Sequence, residues 1–181
     1  MSYLNHDEIE WLIARGEMLD TDPDCVNPAS LDVRLGRTIL IERYNENQRV
    51  IDYRRRDRLN MQEVTLTDGG FVLRPSEVML AHTMEQCNFS DDTAALFRIK
   101  SSMGRIFLEH MDAGWVDPGF HGSLTLEFKN MSNHHAILLR PGDRIGQLVF
   151  FKGNKVAQHQ SYRAKGNYGG FDSVQQAGYK D

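Results

Sequence analysis

Three stretches of the sequence combine residue types that can do chemistry. Lys100-Ser101-Ser102-Met103-Gly104-Arg105 puts two cations, two hydroxyls and a glycine within six residues. Backbone N–H groups, hydroxyls and charges in such a segment can surround phosphate oxygens, although Ser-Ser-x-Gly is also common in turns. Next comes Ala113-Gly114-Trp115-Val116-Asp117-Pro118-Gly119-Phe120, where an Asp before Pro-Gly reads as a turn closed by an Asx hydrogen bond. In Leu124-Thr125-Leu126-Glu127-Phe128, strand alternation sends Leu124, Leu126 and Phe128 to one face and Thr125 and Glu127 to the other. If that second face is wet, Glu127 is an ordinary surface carboxylate. If it lines a pocket, Glu127 is placed for general acid–base work.

Other chemistries lack their residues. Zinc-dependent nucleobase deaminases hold the metal partly through Pro-Cys-x-x-Cys, and the two cysteines, Cys25 and Cys87, are too far apart to supply it. No His-x-x-x-His pair, phosphate-binding Gly-x-x-x-x-Gly-Lys-Ser/Thr loop, dinucleotide glycine fingerprint or Gly-x-Ser-x-Gly occurs.

The elements that must position these residues are mostly short strands. Asn5 and Glu8 form a capping-box pattern, Ile9, Leu12 and Ile13 share a face, and Gly16 ends this short amphipathic helix. Strand patterns follow at 30–35, 37–44, 71–73, 78–84, 94–99, 123–130, 135–139 and 147–152, punctuated by turns such as Asp117-Pro118-Gly119 and Arg140-Pro141-Gly142-Asp143. This spacing predicts an all-β sandwich or distorted barrel with few short helices. The polar region 45–68, with the basic cluster Arg54-Arg55-Arg56-Asp57-Arg58, reads as a solvated loop in preference to a ligand-binding patch. The Gly-, Gln- and Asn-rich segment 153–181 is either a frayed end or an arm that closes over a ligand.

The chain has 181 residues, enough for one domain with one sizeable core. A formal net charge of −4 argues against a nucleic-acid coat protein, which needs a basic surplus. No apolar run approaches the ~20 residues that span a bilayer, and the first residues lack a signal-peptide pattern. With only two cysteines, the expected setting is a reducing cytoplasm.

In their order along the chain, these stretches resemble the dCTP deaminases, including the bifunctional dCTP deaminase/dUTPase members. Asn27 to Leu35 is similar to the family's N-terminal strand, Lys100 to Arg105 to its Ser-Ser motif, and Ala113 to Phe120 to its Asp-Pro-Gly block. Thr125-Leu126-Glu127 matches the catalytic strand, and Pro141-Gly142 with Ile145-Gly146-Gln147-Leu148 the block after it. The resemblance implies a dUTPase-like, distorted jelly-roll β fold over 1–181. It also implies a homotrimer with active sites between subunits, and 153–181 as a flexible arm over each site. It implies metal-free deamination of dCTP to dUTP and ammonia, with Glu127 as proton shuttle and Ser101 and Arg105 positioning water, glutamate and phosphates. Lys100 and Ser102 would contact the triphosphate, which arrives with Mg²⁺, and Asp117 the deoxyribose 3′-hydroxyl. Gln147 and Tyr162 would complete the pocket, with Met103, Gly104, Ala113, Thr125, Leu126, Lys165 and Tyr168 as further nucleotide contacts. No zinc, nucleic acid or membrane partner is implied. The alternatives are dUTP diphosphatase or bifunctional activity releasing dUMP, with Asp117 activating water, and more remotely a non-catalytic nucleotide-binding module.

Three features depart from the family pattern. Ile106 to Asp112 is one residue short, with Asp112 where Thr is usual, in a segment that helps govern dTTP inhibition in the family. Trp115 stands where some monofunctional members carry Arg and resembles the bifunctional type. The tail reads Asn167-Tyr168-Gly169-Gly170-Phe171 in place of Lys-Tyr-Gln-Gly-Gln, with Lys165 shifted by two and Gln175 and Gln176 following.

Overall fold

The computed structural model describes residues 2–177. Its elements are β1 (Ser2–Tyr3), α1 (His6–Ala14), β2 (Met18–Leu19), β3 (Leu31–Arg34), β4 (Thr38–Glu42), β5 (Met61–Thr65), β6 (Phe71–Leu73), β7 (Val78–Asn88) and β8 (Thr93–Ile99). There follow α2 (Ser101–Arg105), β9 (Leu108–His110), β10 (Trp115–Val116), β11 (His121–Asn130), β12 (Ile137–Leu139), β13 (Arg144–Lys152) and α3 (Tyr162–Lys165).

One sheet runs β1-β13-β8-β10, with β3 also on β13. The other runs β5-β4-β7-β11-β9, with β2 on β7, and β6 and β12 form a separate pair. Every named pairing is antiparallel. This is the mainly β architecture that the strand spacing predicts, in the distorted jelly-roll form that the family resemblance implies. Both sheets feed one apolar core, with Phe97 and Phe150 from the first and Ile41 and Phe128 from the second. The capping box forms as expected: the Asn5 side chain accepts from the Glu8 N–H, and the Glu8 carboxylate accepts from the Asn5 N–H. Ile9 and Leu12 are buried behind it.

The structure corrects the reading of 45–68 as loop throughout. Met61–Thr65 forms β5, an edge strand on β4. None of its residues is buried, so no apolar alternation marked it. Among the described residues no helix is long and apolar enough to cross a membrane. Cys25 and Cys87 are buried and unpaired, and burial pushes the Cys87 thiol well up.

The buried carboxylates of Glu85 and Glu17 are met by partners, as burial requires. Arg34 donates from Nε to Glu85 Oε1 at 2.6 Å and from its backbone N–H to Glu85 Oε2 at 2.8 Å. Lys152 reaches Glu17 at 3.2 Å and Asp92 at 2.8 Å. Burial alone would raise both carboxyls. Hydrogen bonds from Thr93 and Ser90 and the charge of Lys152 instead carry Glu17 below its ordinary value. Lys152 and Ser90 hold Asp92 at about 2.

That depression sets a pH window. The contribution of Asp92 to stability is complete above its ordinary pKa of 3.8 and is lost as pH falls through about 2. Lys152→Met is expected to cost ~2 kcal/mol at neutral pH by stranding two carboxylates. It should also flatten the decline of Tm in this acid window, as followed by thermal denaturation of both proteins across pH.

Candidate active site

A cavity of about 460 Å³ opens beside β11. Its walls are apolar, from Leu80, Val116, Phe120 and Leu124, and its polar groups converge from separate elements. Glu127 and Thr125 come from β11, Asp117 from the turn after β10, and Tyr162 and Tyr168 from the C-terminal segment. A few fixed polar groups on apolar walls are what a small-molecule site needs. A larger open cleft of about 550 Å³, lined by Arg15, Glu17, Lys155 and Arg163 among others, contains none of the site residues expected from the sequence.

From Thr125 onward, past an irregularity that lets Leu124 also line the cavity, alternation on β11 sorts its side chains as the sequence implies. Leu124, Leu126 and Phe128 are buried, while Thr125 and Glu127 face the cavity. The Glu127 side chain retains 29% exposure, and its Oε2 lies 3.3 Å from His110 Nε2. The two atoms are not aligned as a hydrogen bond, and neither has another partner. Asp117 Oδ1 accepts from Trp115 Nε1 at 2.9 Å, so the departure at Trp115 orients the candidate sugar-binding carboxylate. The Tyr162 ring packs on Phe120 at 5.1 Å. Burial raises its phenol, which accepts from the Tyr168 N–H at 3.2 Å.

The C-terminal segment lies along β11. Gly170 N–H donates to His121 O and Ser123 N–H to Phe171 O, both at 2.8 Å. Gln175 N–H donates to Thr125 Oγ1 at 3.0 Å. Gln175 and Gln176 therefore line the cavity. Residues 178–181 of the arm lie outside the described residues.

Of the sequence-derived site residues, the cavity gathers Glu127, Thr125, Asp117, Ala113, Tyr162 and Tyr168. Lys165 lines an adjoining cleft of about 480 Å³ that shares Asp117, Tyr162 and Tyr168. The others stand elsewhere in this chain. Ser101, Ser102, Met103, Gly104 and Arg105 form α2, where Arg105 Nη1 donates to Ser101 Oγ at 3.0 Å. Lys100 is ion-paired with Asp32, which is 1% exposed and also held by Asn27 at 2.9 Å. The Lys100 side chain keeps 29% exposure in this pair. Leu126 is in the core, so its side chain cannot touch a ligand in the cavity. Gln147 sits on β13 between Arg98 and Asp32. Asp112, at φ +60, pairs with Arg98. His110, Gln175 and Gln176 were not assigned from sequence as contributors to this site. The only sign of His110 was a histidine within the shortened segment before Ala113. Among the described residues the one cluster of three metal-ligating side chains is exposed His6, Asp7 and Glu10 on α1.

A family described as dCTP deaminase-like matches residues 3–153. A protein of Persephonella marina named "dCTP deaminase, dUMP-forming" is 40% identical over 165 residues, covering 90% of this chain and 89% of that protein. One of the same name from Kocuria rhizophila is 39% identical over 140 residues, 77% of this chain and 72% of its own. Among solved structures, the 2′-deoxycytidine 5′-triphosphate deaminase from Agrobacterium tumefaciens matches with a TM-score of 0.67 at 30% identity. The match covers 83% of this chain and 48% of that one, so this chain spans about half of its length.

Gly122 is where the C-terminal segment meets the strand. It sits at φ +105, and a Cβ there would collide with the Phe171 carbonyl. Gly122→Ala is expected to cost about 1–3 kcal/mol and to detach the segment. Limited proteolysis should then cut within 166–177 at least about tenfold faster, while far-ultraviolet circular dichroism stays unchanged.

Proposed function

The chain belongs to the dCTP deaminase-like family, and we propose that it converts dCTP to dUMP in two hydrolytic steps. The observation that carries this is the placement of Glu127 and Asp117 on one apolar-walled cavity. The "dUMP-forming" name of the relatives supports the two-step outcome over release of dUTP, the leading expectation from sequence.

In the first step water adds to C4 of cytosine, and Glu127 takes its proton and passes it to N3. The proton of the new hydroxyl then travels through Glu127 to the amine. Ammonia leaves with the C4–N electrons, and C4=O remains. One carboxylate serves as base and then acid, which requires it to stay within hydrogen-bond reach of all three atoms. Apolar walls keep competing water away from the base. In the second step water, relieved of its proton by Asp117, attacks the α-phosphorus, and the bond to pyrophosphate breaks. Trp115 holds one Asp117 oxygen and leaves the other for the sugar or the water.

The substrate is the Mg²⁺ complex of the nucleotide, its phosphates met by Ser102, Arg105 and Lys165. In this proposal Ser101 and Arg105 enter the cavity from a second copy, in a homotrimer. Support comes from the absence of α2 from the cavity of its own chain and from exposed Ile106 and Phe107 beside it, Phe107 at φ +64. The C-terminal segment serves as the cover, and the buried free thiols suit a reducing cytoplasm.

Incubation with dCTP and Mg²⁺, with products resolved by chromatography, is expected to yield dUMP, pyrophosphate and ammonia. Accumulating dUTP would restrict the enzyme to deamination, and untouched dCTP would overturn the reading. Glu127→Gln should lower deamination by about 10³-fold while dCTP still binds and supplied dUTP is still hydrolysed to dUMP.

A further inference from the structure

We propose that His110 is the positioning residue for Glu127, fixing one carboxylate oxygen so that the other alone exchanges protons with substrate. The proposal rests on the reading of Glu127 as the proton shuttle. The His110 side chain is 4% exposed. Its Nε2 and Glu127 Oε2 are both buried and both without a hydrogen-bond partner, and they face each other at 3.3 Å. Orphaned buried polar atoms are rare because each carries a desolvation cost. Two such atoms in contact satisfy each other after a small rotation, with Nε2–H donating to Oε2.

The ring has no freedom to find another partner. It meets Phe97 edge-on at 4.7 Å and Phe128 at 5.8 Å. Its backbone is tied to the same strand as the carboxylate, since His110 pairs with Phe128 and Met111 N–H donates to Glu127 O at 3.0 Å. His110 does not line the cavity, so it acts through Glu127. A shuttle that serves water, N3 and the amine in turn needs a carboxylate that does not spin, and misplacement by 1 Å costs about 10²-fold.

Two variants separate orientation from packing. His110→Phe keeps a ring between Phe97 and Phe128 and removes the donor, whereas His110→Gln keeps an N–H donor. His110→Phe should lower kcat for dCTP deamination by about 10²-fold with KM within about threefold and Tm within about 3 °C. His110→Gln should recover at least about tenfold of that loss. Wild-type kcat in His110→Phe would overturn the proposal, and so would equal loss in both variants together with a lowered Tm. A second readout needs no turnover: in ¹⁵N-histidine-labelled protein, the His110 Nε2 resonance should move on Glu127→Gln. An unmoved resonance refutes the contact even if dCTP is consumed. An inactive wild type with a moved resonance refutes the proposed reaction and leaves the pair standing.

Discussion

Across the β7–β11 pairing, Ser123 lies opposite Gln86 and Thr125 opposite His82. Three residues of β7, Thr83 to Glu85, therefore stand against Leu124 alone. The Leu124 N–H released by this irregularity is taken by Thr83 Oγ1 at 3.0 Å, and the same hydroxyl donates to Glu85 O at 2.7 Å. Beyond it Glu127 falls opposite Leu80, and the apolar alternation of β11 resumes toward the core. A slip of one residue would exchange the faces. Leu126 would enter the cavity, and the polar carboxyl group of Glu127 would enter a core that the leucines and Phe128 hold at roughly 1.5–3 kcal/mol per side chain. The placement of Glu127 on the cavity is thus imposed by the residues on either side of it.

The same irregularity directs Glu85 inward, where Arg34 meets both of its oxygens. Buried charge is handled alike at two other places, Glu17 with Lys152 and Asp32 with Lys100. A buried carboxylate without its cation costs several kcal/mol. Lys100 therefore anchors the entrance to α2 through Asp32.

Much of this was legible in the sequence because local patterns agreed with the global fold. The Asn5–Glu8 box, the Leu124–Phe128 alternation and the Asp117-Pro118-Gly119 turn each carry their own signal within a few residues. β5 did not, since an edge strand with neither face buried has no period to read. His110 reaches Glu127 only through the β9–β11 register, and Lys100 meets Asp32 across 68 residues of sequence. Neither contact has a local cause. Glu127, Thr125, Asp117 and Ala113 reach the cavity from two contiguous motifs that β10 and β11 bring together, whereas α2, although contiguous in sequence, and Gln147 come to lie elsewhere because their places depend on how distant elements dock.

The C-terminal segment joins β11 through its own main chain: the amides of Gly170 and Gln175 and the carbonyl of Phe171. A clasp made of backbone asks little of side-chain identity. Away from Gly169 and Gly170, which lie against the His121 ring with Gly170 at φ +85, the tail can therefore vary in sequence while still docking on the strand. What drifts with it are the side chains turned into the cavity, here Gln175 and Gln176. The fold thus carries a replaceable wall: the side chains lining one side of the cavity can change with the strand that bears Glu127 left intact.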